Sequence, residues 1–216
     1  MKLPGRRADI LEVDPDGKNE RIYAGGLRNP VGMAWAPGTD TLWTVVNERD
    51  GLGDELVPDY LTSVTPGGFY GWPYSYFGAH VDERIQPQRP DLVAKALVPD
   101  FPLGPHTASL GLGFYTGSAF PSRYHGSAFI GQHGSWNRSE LAGYKVVHVP
   151  FAQSKPSGPA EDFVTGFIAS RERNEVYGRP VAVLGLKDGS LLVADDTGNT
   201  LWRVLALPGA NLDSTH

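Results

Sequence analysis

The chain has 216 residues, a net charge of −5, no cysteine and a hydrophobic share of 40%. That length and apolar share sustain a sizeable core and exclude a disordered chain, while the missing cysteines exclude disulfides, thiolate metal sites and thiol nucleophiles. Positive charges are dispersed, so no nucleic-acid surface is expected; no apolar run reaches the ~20 residues of a membrane span; and Met1–Arg7 is basic without an apolar stretch behind it, so it does not read as a signal peptide.

Glycine (27) and proline (18) together fill about a fifth of the sequence, which predicts a turn-rich, all-β protein. In chain order, residues 9–13 and 20–24, joined by the turn 14–17, read as the two outer strands of a sheet whose inner strands are missing. Residues 31–36 and 41–46 flank the turn Pro37-Gly38-Thr39-Asp40 and form a first hairpin. The stretch 51–110 reads as a long insertion. A second hairpin joins 112–115 to 127–130, and 143–149 supplies a further strand. After another insertion, 152–178, a third hairpin joins 181–184 to 190–196 around Lys187-Asp188-Gly189, and 201–205 follows it as a third strand.

Strand–turn–strand–strand units in series are the pattern of propeller blades, spread here beyond the ~40–45 residues of a compact blade. The expectation is a partial, open β-propeller of three to four blades, with residues 1–207 as one domain and 208–216 as a flexible tail. An open ring leaves strand edges unpaired, and these are expected at 10–13 and 201–207, either exposed or paired with another chain.

Polar residues recur at matching places in the hairpins. Arg28-Asn29 precedes the first; Arg28 offers a planar, permanently charged fork suited to carboxylates, and Asn29 a donor and an acceptor. A structural turn rich in Asn, Pro and Gly explains the same residues. The stretch Asn47-Glu48-Arg49-Asp50-Gly51-Leu52-Gly53-Asp54-Glu55 ends that hairpin. Its carboxylates and open backbone suit calcium, and a solvated acidic loop fits equally well. Gln132–Ser139 ends the second hairpin, where Trp136 can stack on a flat ring while His133, Asn137 and Arg138 bond its edge. Tyr177-Gly178-Arg179 precedes the third hairpin and Asp195-Asp196 ends it. Arg28 and Arg179 are thereby expected in one cleft, around one anionic ligand.

The segments GLRNPVG (26–32), LWTVVNERDGLGDEL (42–56), FYGWP (69–73), HTASLGLGFYTG (106–117), GQHGSWNRS (131–139), GRPVAV (178–183) and LLVADD (191–196) occur in the order in which they resemble the sorbosone dehydrogenase family. More distantly they resemble soluble glucose dehydrogenases that use pyrroloquinoline quinone. The resemblance implies a six-bladed propeller, of which this chain is the C-terminal half, holding the quinone at one end with calcium beside it. Arg28 and Asn29 match residues that contact the quinone, Arg179 matches one that binds its carboxylates, and Asp196 matches an acidic residue nearby. Tyr177 departs from the family's second arginine. Arg49 and Asp50 match the turn whose backbone carbonyls hold calcium. The family's quinone-reaching lysine falls in the loop 133–138, where His133 or Arg138 stands in for it.

The resemblance further implies oxidation of an aldose or sorbosone, a small sugar substrate, an unidentified electron acceptor and a periplasmic or secreted location. The family's general-base histidine belongs to the half that this chain lacks, so the chain is expected to need that N-terminal half or a second chain. No catalytic residue is assigned within it; His106 is assigned to substrate contact. Two other classes stay open: a calcium-dependent propeller lactone hydrolase, for which Asp50, Asp54, Glu55, Asp195 and Asp196 are the carboxylates at hand, and a non-catalytic binding propeller.

Overall fold

The computed structural model describes residues 7–207; the expected tail, 208–216, lies outside them. Nearly every regular element is a strand, and the one α-helix among the described residues is the four-residue turn Pro90–Val93. Four antiparallel sheets build the blades along the chain, and three two-stranded ribbons, Ser75–Tyr76 with His80–Val81, Phe151–Ala152 with Lys155–Pro156 and Ile168–Ser170 with Glu175–Val176, lie outside them among the described residues. The first has two strands, Asp9–Glu12 and Arg21–Gly25. The second has four, Pro30–Trp35, Leu42–Val46, Pro58–Ser63 and Phe101–Pro105, paired in chain order. The third repeats that order with Ser109–Phe114, Ala128–Gln132, Lys145–Val149 and Glu161–Val164. The fourth has three, Pro180–Gly185, Leu191–Asp195 and Thr200–Val204. This is a partial β-propeller: a half blade, two full blades and a three-stranded blade.

The two presumptive insertions carry blade strands. Pro58–Ser63 and Phe101–Pro105 complete the first full blade from within 51–110, and Glu161–Val164 completes the second from within 152–178. Pro58–Ser63 is buried along four consecutive residues, because blade faces are covered on both sides, and a strand buried on both faces loses its two-residue period.

Apolar cores fill the spaces between neighbouring blades. Ile10, Ala24, Leu27, Val46, Tyr60 and Tyr70 join the half blade to the first full blade. Trp43, Val45, Leu61, Leu112, Ile130 and Val147 join the two full blades. Tyr115, Phe120, Phe129, Val183, Leu191 and Val193 join the second to the last.

At the axis the first strands of the three larger blades lie side by side. A Cβ on Gly32 would stand 2.4 Å from the Leu110 carbonyl oxygen, and one on Gly111 would stand 2.4 Å from the Val181 oxygen. Glycine is therefore what lets the inner strands meet backbone to backbone.

Two apolar faces stay open. Val31, Met33 and Trp35, alternate residues of the first full blade's inner strand, are exposed, as are Leu184 and Leu201 of the last blade. Thr200–Val204 pairs only with Leu191–Asp195, so the expected free edge is present there. At the other end, Ile10 is buried while Leu11 and Val13 are exposed, because the half blade turns one face onto its neighbour. No helix among the described residues is long and apolar enough to cross a membrane.

Candidate functional site

In each blade the inner strand begins, and the second strand ends, at the same end of the ring. This antiparallel geometry gathers the segments 28–29, 47–55, 106–108 and 133–139 around a cavity of about 210 Å³, lined by Arg28, Asn29, Asn47, Asp50, His106 and Trp136 among others. Two bonds pin its floor. The Asn47 backbone N–H donates to the Asn29 carbonyl at 3.0 Å, and the Asn47 side chain reaches across to the Ser109 carbonyl at 2.7 Å.

Asp50 is the hub of the cavity. Its Oδ2 accepts from Arg28 Nη2 at 2.9 Å and its Oδ1 from Asn137 Nδ2 at 2.8 Å. The second Asn137 N–H points at His106 Nδ1, 3.3 Å away, while His106 Nε2 lies 2.9 Å from the Gly53 carbonyl. A carbonyl only accepts, so Nε2 carries a proton. His106 holds this pose with φ at +57°, a left-handed backbone uncommon outside glycine that collects at functional sites. Trp136 lines the same cavity with its indole 77% exposed, so a flat face is open to a ligand.

Below the cavity, Asp59 is buried and accepts from the Glu48 backbone N–H at 2.9 Å and from Thr107 Oγ1 at 3.0 Å. Burial outweighs these bonds and pushes its carboxyl up to about 6. It ties the acidic turn to the segment carrying His106. Nothing in the sequence marked it, because it sits inside an unrecognised strand.

The remaining expected residues lie elsewhere. Arg179 does not reach the Arg28 cavity: its Nε and Nη2 donate to the carbonyls of His133 and Gly134 at 2.9 and 2.7 Å, and its guanidinium lies 5.3 Å from the Tyr144 ring centroid. Two of its N–H groups thus brace the loop after the second blade's hairpin. His133 Nε2 lies 2.9 Å from Asp196 Oδ1, and that bond holds the Asp196 carboxyl below its usual range. Arg138 donates to Glu55 at 2.7 Å and lines a separate groove of about 730 Å³.

The Arg49 side chain is buried away from the cavity, bonded to Glu48, Asp82 and the carbonyls of Pro73 and Ser75. The Asp50 carbonyl, expected to face calcium, accepts from Arg84 Nη1 at 2.9 Å. Among the described residues no group of three or more histidine or acidic side chains is placed to hold a metal. The Asp50 carbonyl thus already faces a guanidinium.

The cavity offers groups that can bond and stack on a flat, carbonyl-rich ligand, while Glu48, Asp50 and Asp59 place acids in the same lining. It presents one fixed guanidinium, asparagine amides on its rim and an uncovered indole face.

Comparison with known proteins places the chain in a family. A family profile described as "Glucose / Sorbosone dehydrogenase" matches residues 7–154. An uncharacterized protein of Borreliella burgdorferi is 34% identical over 207 residues, covering 94% of this chain and 54% of that protein. A pyrroloquinoline quinone-dependent pyranose dehydrogenase of Coprinopsis cinerea is 31% identical over 132 residues, covering 54% of this chain and 17% of the relative. Among solved structures, the holo form of the pyranose dehydrogenase PQQ domain from Coprinopsis cinerea superposes with a TM-score of 0.73 at 22% identity, covering 92% of this chain and 61% of that one. At that identity the likeness speaks for the fold. The chain spans about half the length of the Borreliella relative.

Proposed function

The chain belongs to the glucose/sorbosone dehydrogenase family, and from that premise we propose that it forms part of a pyrroloquinoline quinone-dependent enzyme that oxidises a sugar or sugar aldehyde. The observation that carries the reading is the convergence of Arg28, Asn29, Trp136 and Asn137 on one cavity at the end of the ring. The Coprinopsis relatives, described as quinone-dependent, support it.

In this reading Arg28 meets a carboxylate of the quinone. Asp50 holds its guanidinium in place beforehand, so little side-chain freedom is lost on binding. Asn29 and Asn47 bond the cofactor's edge, and Trp136 covers its face. When bound, the quinone would supply the two-electron acceptor for sugar oxidation; the protein supplies placement and charge. Both ring nitrogens of His106 are engaged, by the Gly53 carbonyl and by Asn137, so it holds Asn137 in place at the cavity and does not take the substrate's proton. The general base is assigned to the part of the relatives' length that lies outside this chain. Arg179, His133 and Asp196 form a rim that fixes the neighbouring loop. A location outside the cytoplasm and an external electron acceptor complete the proposal.

A lactone hydrolase is not favoured. Its five candidate carboxylates are already committed: Asp50 to Arg28 and Asn137, Asp54 to the Ser139 N–H, Glu55 to Arg138, Asp195 to the Arg179 and Gly198 N–H groups, and Asp196 to His133. The test is dye reduction with aldoses and sorbosone in the presence of the quinone, using this chain and a version extended N-terminally to the relatives' length. Turnover only in the extended protein supports the proposal. Turnover by this chain alone as a monomer would show that the base has been misplaced, and no turnover by either would remove the dehydrogenase reading.

A further inference from the structure

The turn 48–51 is where the family resemblance puts calcium, and it is built around a different cation. Arg84 lies over it. Its Nη1 donates to the carbonyl oxygens of Asp50 and Gly51, at 2.9 and 3.1 Å. Its Nε and Nη2 each donate at 2.8 Å to the two oxygens of Asp82, a planar fork matched to a carboxylate. Asp82 is 2% exposed and also accepts from Arg49 Nη1 at 2.8 Å. The Arg84 bonds hold the Asp82 carboxyl far below its usual range. Gly51 has φ at +81°, and a Cβ there would stand 3.0 Å from Arg84 Nη1, so the glycine leaves the guanidinium its place.

We propose that Arg84 supplies the positive charge at this turn and that the turn folds and keeps its shape without calcium. Calcium takes six to eight oxygen ligands, and here the Asp50 carbonyl it would use, together with the Gly51 carbonyl beside it, already faces an N–H donor. Arg28, Arg49 and Arg84 are matched by Glu48, Asp50 and Asp82, each acid in contact with one of the arginines. A divalent ion would add unbalanced charge beside a guanidinium that the Asp82 fork holds in position.

The proposal rests on the family reading only for the location of the turn, and its test needs neither quinone nor sugar. Thermal unfolding of the chain in chelator and in calcium, together with calorimetric calcium titration, reads it directly. The wild-type chain is expected to melt at the same temperature in both media and to show no stoichiometric calcium uptake. The Arg84→Ala chain is expected to melt lower in chelator and to recover part of the loss on calcium addition, as the freed carbonyls accept the ion. A wild-type chain that melts lower on chelation, or that takes up one calcium per chain, overturns the proposal. If Arg84→Ala does not fold, the wild-type arm still decides.

Discussion

Asp50 Oδ2 lies 2.9 Å from Arg28 Nη2 across the mouth of the cavity, joining the entry of a blade's first strand to the exit of its second. The same carboxylate accepts from Asn137 of the next blade, so one side chain sets the positions of two others. Asp50→Ala should free Arg28 and Asn137 together. Both acid and base are about one-third exposed, so solvent screens much of the pair. The expected stability loss is about 1–2 kcal/mol, read as a lowered denaturation midpoint. A loss of quinone affinity should accompany it. Unchanged affinity would mean that Arg28 needs no preorganisation.

Gly111 carries the contact between inner strands. The nearest atoms to a Cβ there are the Val181 oxygen and the Ala182 Cα, at 2.4 and 2.6 Å, and backbone cannot swing away as a side chain can. Gly111→Ala should cost about 3 kcal/mol or more through blade separation. Gly185→Ala, whose Cβ would stand 4.0 Å from the Leu191 side chain, should be neutral or slightly stabilising. Equal urea midpoints for the two variants would contradict the close-approach account.

Asp59 gives the molecule a pH dependence opposite in sign to that of its surface acids. Burial pushes its folded value up to about 6 from an ordinary 3.8. The unfolded chain therefore ionises first as pH rises, and the stability that the protonated group contributes below pH ~4 is lost by about pH 6, an effect of about 3 kcal/mol. Asp82, held low chiefly by Arg84, acts the other way: its contribution is present above the ordinary carboxylate range and is lost as pH falls. Carboxyl-carbon NMR should place the Asp59 midpoint near 6. A midpoint near 4 would show that its hydrogen bonds outweigh burial.

Tyr115 locks the second full blade to the three-stranded last blade. Its buried hydroxyl donates to the Gly189 carbonyl at 2.7 Å and accepts from the Ala119 and Phe120 N–H groups. Tyr115→Phe leaves these partners unsatisfied and should cost about 2–3 kcal/mol, measured by denaturant unfolding. A cost near zero would mean that water replaces the hydroxyl.

Much of this was legible from residues alone. Leu42–Val46 and Leu191–Asp195 announce themselves as β-branched runs closed by turn residues, and the recurrence of Arg28, Asp50, Trp136 and Asn137 at equivalent hairpin ends pointed to one end of a ring. Phe101–Pro105 stayed hidden because its two prolines and glycine read as loop, and Glu161–Val164 because its exposed acids lack a buried face. Arg84 sits in a stretch without a motif, so only the folded chain shows it over the Asp50 carbonyl. Arg179 shows the converse limit. Its place in the repeat was readable, but the direction of its guanidinium depends on which carbonyls come within reach.

The central claim is that the Arg28 cavity is the quinone site, and direct titration of pyrroloquinoline quinone into the N-terminally extended protein tests it most closely. Binding should quench tryptophan fluorescence, with Trp136→Phe losing a large part of the quench. Arg28→Ala should weaken binding about tenfold or more, the loss of one charge-assisted contact. A quinone that binds Arg28→Ala and Trp136→Phe as it binds the unaltered protein would contradict the claim and place the cofactor elsewhere.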